Sequence, residues 1–94
     1  MTFEAWEAVK DPDEVKDYSI NWSPTLGSDT ISTSTWTLAG GVGLVLNSNS
    51  FGATGTTVWL SAGTRGTTYL LRNRITTVGL RTYDMTVRLI CTDK

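Results

Sequence analysis

The chain of 94 residues contains no histidine and only one cysteine. Without histidine it lacks the usual general base, the Ser-His and Cys-His nucleophile pairs and the commonest zinc ligand. A single cysteine excludes an intrachain disulfide, which small secreted domains usually contain. Together these absences exclude a structural zinc site. They predict a protein that is not an enzyme, with no catalytic residues, no metal and no cofactor.

Other absences concern membranes and nucleic acids. No apolar run approaches the 18 or so residues that a membrane-spanning helix needs, and the first residues are too polar for a secretory signal. The net charge is −1, and no cluster of basic residues stands out along the sequence. We therefore expect a protein that binds neither membrane nor nucleic acid, made and used without export.

Alternation of apolar and polar residues is the strongest positive signal. It runs through residues 67–77 and 82–92, which are joined by a short segment containing Gly79, and it predicts a long β-hairpin with one buried side. The buried positions would be Tyr69, Leu71, Asn73, Ile75, Tyr83, Met85, Val87, Leu89 and Cys91. Seventeen threonines agree with a β-rich chain, because threonine packs well on a pleated surface.

The hairpin also allows its register to be predicted. If facing residue numbers add to 158, Arg74 stands opposite Asp84 and Leu71 opposite Val87. If they add to 160, Arg72 faces Arg88, and two like charges directly opposite each other are unfavourable. We predict the first register.

Further short strands precede this hairpin. The pattern predicts strands over 18–22, 30–38, 42–46 and 56–61, with turns between them that include the polar stretch Asn47-Ser48-Asn49. Trp36 and Trp59 are expected in the core because of their positions within strands. Short strands at intervals of 8–12 residues, without helices, are typical of a β-sandwich or a small barrel.

Residues 1–17 differ from the rest, so the chain divides into an N-terminal arm (1–17) and a β-domain (18–94). The segment Asp11-Pro12-Asp13-Glu14 could begin one helical turn, but residues 2–10 show no sustained helical stripe, and an extended arm is favoured. Residues 1–29 carry seven acidic side chains against two lysines, a balance of −5, whereas residues 30–94 have a balance of +4. This asymmetry is typical of an interaction tail or of self-complementary surfaces.

The acidic arm and the arginines of the hairpin suggest an interface. The arm could fold back on its own domain or dock on a neighbouring copy. Exposed ion pairs contribute only about 0–1 kcal/mol each, so apolar anchors are also needed; alternatively, Trp6 merely closes one end of the sandwich. The hypothetical interface residues are Phe3, Trp6, Asp11, Asp13, Glu14, Arg72, Arg74 and Arg88.

An ordered set of short motifs resembles a known family. It comprises Lys10-Asp11-Pro12-Asp13-Glu14-Val15, Tyr18, Trp22, Gly27-Ser28-Asp29-Thr30-Ile31, Ser34-Thr35-Trp36-Thr37, Thr57-Val58-Trp59-Leu60-Ser61, Gly63-Thr64, Gly66-Thr67-Thr68-Tyr69, Asn73-Arg74-Ile75-Thr76-Thr77, Gly79 and Arg81. From Lys10 to about Leu89 the chain resembles the phage fiber-tail adaptor proteins. The resemblance implies an all-β, small immunoglobulin-like β-sandwich with an extended N-terminal arm.

The resemblance also implies a role. The chain would be a non-enzymatic structural protein of a bacteriophage tail, assembled in the host cytoplasm and joining the tail tube or nozzle to the tail fibers. Its partners would be the tube or nozzle protein, N-terminal segments of the fibers and other copies of itself in a symmetric ring. The alternative is a carbohydrate- or cell-surface-binding immunoglobulin-like module, for which Trp59 or Trp6 would serve as sugar platforms.

Overall fold

A computed structural model describes residues 2–10 and 14–92, with side chains described for Lys10 and for residues 14–92. These described residues form seven strands and one short helix. They are β1 (Thr2–Lys10), β2 (Lys16–Asn21), α1 (Ser23–Leu26), β3 (Ile31–Gly40), β4 (Leu44–Phe51), β5 (Gly55–Ala62), β6 (Thr68–Thr77) and β7 (Thr82–Cys91).

The strands form two sheets that pack face to face. The four-stranded sheet has the order β1-β7-β6-β3, and the three-stranded sheet has the order β2-β5-β4. All pairs are antiparallel except β1 with β7, which run parallel. Residues 2–10 of the predicted arm therefore form an edge strand of the larger sheet. The architecture is a β-sandwich, as the sequence predicted.

The register predicted for the final hairpin is confirmed. Strands β6 and β7 pair so that Leu71 stands opposite Val87 and Arg74 opposite Asp84. The inward side chains of both strands are buried, including Asn73, which the alternation had placed on the buried face. Tyr83 is only partly buried and packs at the margin of the core, where its ring centroid lies 6.3 Å from that of Trp22.

One contiguous core fills the space between the sheets. Each strand from β2 to β7 contributes inward side chains, and α1 adds one more. Its buried hydrophobic residues are Ile20, Trp22, Leu26, Ile31, Trp36, Leu44, Val58, Leu60, Tyr69, Leu71, Ile75, Met85, Val87, Leu89 and Cys91. The expectation that Trp36 is a core residue is confirmed, since its exposed fraction is 7%.

A buried polar side chain joins the two sheets through this core. The amide oxygen of Asn73 accepts hydrogen bonds from Trp22 Nε1 (2.9 Å) and from Thr56 Oγ1 (2.7 Å). Its nitrogen donates to Ser34 Oγ (2.9 Å) and to the carbonyl of Thr35 (3.1 Å). Buried polar groups are costly unless they are hydrogen-bonded, and here all the hydrogen-bonding capacity of the amide is directed at specific neighbours.

Two details of the predicted secondary structure are wrong. Asn47-Ser48-Asn49 is not a turn but the middle of β4, where the register shifts between Leu46 and Ser48. An exposed edge strand tolerates such polar residues and such a bulge, because only one of its sides is paired. The chain also contains a helical turn, α1, with Pro24 in its first turn and Gly27 after its end. This helical turn differs from the expectation of strands without helices.

The expectation for Trp59 is also wrong, since 43% of its side chain is exposed. Its neighbours Val58 and Leu60 are completely buried. Because successive residues of a strand face opposite sides, burying these two aliphatic side chains leaves Trp59 on the outer face of the three-stranded sheet.

Candidate interaction surface

The outer face of the four-stranded sheet presents arginine and threonine side chains. Leu71, Asn73 and Ile75 of β6 point into the core, so the alternate residues Arg72 and Arg74 lie on the outer face. On the adjacent edge strand β3, Thr37 stands opposite Arg72 and Thr35 opposite Arg74. These four residues line a groove of about 320 Å³, which we call the Arg-Thr groove. Two of the arginines proposed for an interface therefore share one site.

Asp84 of β7 engages one of these arginines. Nε of Arg74 donates to Oδ1 of Asp84 at 2.7 Å, and Nη2 donates to Oδ2 at 2.9 Å. The hydrogen bond from Arg74 lowers the pKa of Asp84; burial opposes this effect, and the positive charges of Arg74 and Arg72 add to it. The pKa of Arg74 is raised, chiefly by the same hydrogen bond. The bidentate pair holds the Arg74 guanidinium in one orientation.

Arg88 lies on the next strand and next to β1. It is half-buried on β7, and the register of the parallel pair places Glu7 opposite it. Strand β1 is thus bound to its own domain through β7, which lies between β1 and the β6 side of the Arg-Thr groove. Of the proposed interface residues whose side chains the structure describes, Arg72 and Arg74 line this groove, and Arg88 does not.

The structure describes the remaining residues of the proposed interface only in part. The backbones of Phe3 and Trp6 belong to β1, with Phe3 opposite Met85, but their side chains lie outside the described part of the chain. Asp11 and Asp13 lie outside the described residues altogether, and so does most of the possible helical turn there. Glu14 is half-buried and belongs to no helix or strand.

Lys10 is a residue that sequence reasoning missed. It ends β1 and is completely buried, and its Nζ donates to the carbonyl of Ala62 at 2.6 Å. A buried ammonium group must be hydrogen-bonded, so this contact fixes the end of β1 to the end of β5. No sequence pattern predicts that Lys10 is buried, because lysine is normally a surface residue.

The outer face of the three-stranded sheet has a different chemistry. Trp59 occupies the central strand, with Asp17 opposite it on β2 and Ser48 opposite it on β4. Hydroxyl groups surround it: Ser19 and Thr57 share a hydrogen bond of 2.9 Å between their Oγ atoms. We call this surface the Trp59 face. It combines one large aromatic ring with short polar side chains.

Asp29 organises the end of the sandwich at which the β6–β7 turn lies. Its Oδ1 accepts hydrogen bonds from the backbone N–H groups of Thr30 (2.9 Å) and Gly79 (3.0 Å), and its Oδ2 accepts one from Arg81 Nη1 (3.2 Å). Its pKa is lowered to about 2, first by a hydrogen bond from the Thr77 side chain, then by these donors, with burial opposing them. The carboxylate thus ties the turn to the residues before β3.

In the described part of the chain, no group of three or more His, Cys, Asp or Glu side chains is placed to hold a metal ion. None of the described helices is long and apolar enough to cross a membrane. The candidate sites in the described part of this all-β sandwich are the Arg-Thr groove and the Trp59 face.

The comparison with protein families identifies the chain more closely. Residues 10–90 match the model of the family described as podophage GP4 fiber-tail adaptor protein gp77. The match covers most of the chain, and the protein belongs to this family of phage tail adaptors. The resemblance noted in the sequence is thereby confirmed, and the family implies a component of the virion. No curated protein sequence matches the chain significantly.

Two solved structures are similar in fold. One is the PKD domain from KIAA 1837 protein, with a TM-score of 0.59 and 17% sequence identity, covering 97% of this chain and 82% of that domain. The other is a 2,6-sialyltransferase of a Photobacterium species, with a TM-score of 0.59 and 10% identity. The match covers 98% of this chain but only 18% of the sialyltransferase. At these identities the similarity shows the immunoglobulin-like fold alone.

Proposed function

We propose that the protein is a non-enzymatic structural component of a bacteriophage tail that joins the tail tube or nozzle to the tail fibers in a symmetric assembly. The observation that carries this proposal is the family match over residues 10–90. The absence of histidine and the single buried cysteine agree with a role that requires no chemistry. The protein would be assembled in the host cytoplasm and retained in the virion.

The partners proposed are the tube or nozzle protein, N-terminal segments of the fibers and further copies of this chain. Contacts would involve the arm residues Phe3, Trp6, Asp11, Asp13 and Glu14 together with Arg72, Arg74 and Arg88. The exposure of Arg72 and Arg74 on one face supports this assignment for the arginines. A ring requires that one surface of each copy meets a different surface on the next copy. The acidic arm and the Arg-Thr groove are two such different surfaces.

Quantitative mass spectrometry of purified phage particles tests the proposal. We expect this protein in a multiple of six copies per virion, calibrated against the major capsid protein. Cryo-electron microscopy of the same particles should then place it between the tube and the fibers. Absence from particles that carry fibers would contradict the tail function.

The Trp59 face supports a second candidate, a module that binds carbohydrate or a cell surface. Aromatic side chains that are exposed on a flat face and flanked by hydrogen-bonding groups suit ligands with one apolar side and several hydroxyl groups. A glycan array would test this candidate, with Trp59→Ala as the variant and Phe51→Ala, another exposed aromatic residue, as the control. Binding lost only in the Trp59 variant would support it, whereas no binding by the wild type would exclude it.

A further inference from the structure

Strand β3 forms one edge of the four-stranded sheet, and it lacks the features that usually protect an exposed edge. Charged residues, proline or a bulge in mid-strand normally prevent the unpaired backbone N–H and C=O groups from recruiting another strand. The sequence of β3 contains neither a charged residue nor proline. Its pairing with β6 is irregular only near the two ends, so residues 33–38 form a regular edge.

The other three edge strands carry features that limit unselective pairing. Strand β1 contains Glu4 and Glu7, with a register irregularity between them, and β2 begins with a lysine and an aspartate. Strand β4 carries its bulge in the middle. The contrast singles out β3 as the edge most suited to accept an additional strand. Within the described residues, no other strand pairs with its outer side.

The Arg-Thr groove lies directly beside this edge. Thr35 and Thr37 belong to β3 itself, and Arg72 and Arg74 lie one strand further in. Asp84 neutralises Arg74, and among the described lining residues none is acidic, so the charge of Arg72 leaves the groove positive. A strand added to β3 would run along this groove, and acidic residues in that strand would be attracted to it.

The chain itself contains a strand of suitable charge, namely β1, with Glu4 and Glu7. In a single copy β1 lies at the opposite edge of the same sheet, and among the described strands it pairs only with β7. Its outer side could therefore pair with β3 of another copy without leaving its own domain, and the positive charge beside β3 would offset the charges of Glu4 and Glu7.

The direction of the strands also permits this contact. Strand β1 is parallel to β7, β7 is antiparallel to β6, and β6 is antiparallel to β3. Consequently β1 and β3 run in the same direction. Copies related by rotation about one axis, each laying its β1 edge against β3 of its neighbour, would continue the sheet with parallel pairing at every junction.

We propose that β3 of one copy accepts the β1 edge of a second copy as an additional parallel strand, with the Arg-Thr groove beside the junction. This inference deepens the proposed function, since it names the contact by which copies would assemble head to tail. Two different edges meet, so the contact repeats from copy to copy, as a ring requires, rather than closing as a two-fold dimer.

Sedimentation velocity of the purified full chain tests the contact. The wild type should exceed its monomer mass of 10.3 kDa increasingly as the concentration rises. Thr35→Lys, which places a charge on the β3 edge, should remain monomeric. Ser50→Lys, which places the same charge on the exposed edge strand β4, should assemble like the wild type. A wild type that stays monomeric, or a Thr35→Lys variant that assembles normally, would overturn the proposal.

A mixing experiment guards against misfolded variants. Thr35→Lys retains an intact β1 edge, and the double variant Glu4→Lys/Glu7→Lys retains an intact β3 edge. Both should show wild-type circular dichroism and be monomeric when alone. Mixed in equal amounts, they should form a species of twice the monomer mass, because one compatible pair of edges remains. No complex between folded variants would refute the edge contact.

The results separate this inference from the tail function. If particles contain the protein in a multiple of six copies but the isolated chain is monomeric, only the edge contact fails. If the isolated chain assembles through β3 but is absent from particles, only the tail function fails.

Discussion

The two sheets bury their inner faces in the same way but present different chemistry outwards. The outer face of the larger sheet carries the Arg-Thr groove and the ion pair of Arg74 with Asp84. The outer face of the smaller sheet carries Trp59 among hydroxyl groups. Packing constrains every inward residue, whereas outward residues are free to vary. The difference indicates that the two outer faces of this fold can contact different partners.

The largest effect is expected where the two sheets are joined. Asn73→Ala should lower the free energy of unfolding by about 3 kcal/mol, because the indole N–H of Trp22 and the hydroxyl of Thr56 lose their acceptor while remaining buried. Urea denaturation followed by tryptophan fluorescence measures this change. The control is Asn47→Ala on the exposed edge strand, which should change the free energy by less than about 0.5 kcal/mol. Similar values for both variants would contradict the role of Asn73.

Two neighbours on β5 sharpen the comparison of inner and outer faces. Leu60→Ala should cost about 3 kcal/mol, because it removes a completely buried side chain and leaves a cavity. Trp59→Ala should cost less than about 1 kcal/mol, since surface substitutions have small effects. Chemical denaturation of both variants under identical conditions gives the comparison. If Trp59→Ala were the more destabilising of the two, Trp59 could not be a surface residue.

A smaller effect, of opposite sign, is expected at the β6–β7 turn. Leu80 adopts a φ of 65°, which glycine adopts readily and other residues do not, and its side chain is 89% exposed. Leu80→Gly should therefore raise the free energy of unfolding by about 1 kcal/mol. Val78→Gly, in the same turn but without a positive φ, should lower stability slightly. Thermal unfolding distinguishes them, and a destabilising Leu80→Gly would mean that the Leu80 side chain contributes a contact.

The mildest expected effect is on pH dependence. The pKa of Asp29 is about 2 in the folded chain, below its usual value of about 3.9 in unfolded chains. Its stabilising effect is therefore fully present above about pH 4 and is lost as the pH falls towards 2. Asp84, whose pKa is also lowered, acts in the same direction. Asp29→Asn should flatten the decline in stability between pH 4 and 2, and an unchanged decline would exclude Asp29 as its source.

Part of this structure could be predicted because its determinants are local. Alternation within β6 and β7 specifies which side chains are buried, and the charges of Arg74 and Asp84 favour one register. The family resemblance was likewise present in the order of short motifs. For the candidate site, the same alternation predicts that Arg72 and Arg74 are exposed on the outer face.

Other features depended on the tertiary structure. Trp59 was expected in the core because it lies within a strand, but the alternation in β5 buries only one set of residues, which includes Val58 and Leu60. The bulge of β4 breaks the local pattern, so a polar strand was interpreted as a turn.

The sequence by itself thus determined the strands of the hairpin, their register, the sandwich class and the absence of histidine-dependent chemistry. Only the tertiary structure decided where β1 lies, that Lys10 is buried against Ala62, and that β3 is left as an exposed edge beside the arginines. The reason is physical: alternation and turn formation depend on neighbouring residues, whereas the pairing of strands distant in sequence depends on how the whole chain closes around its core.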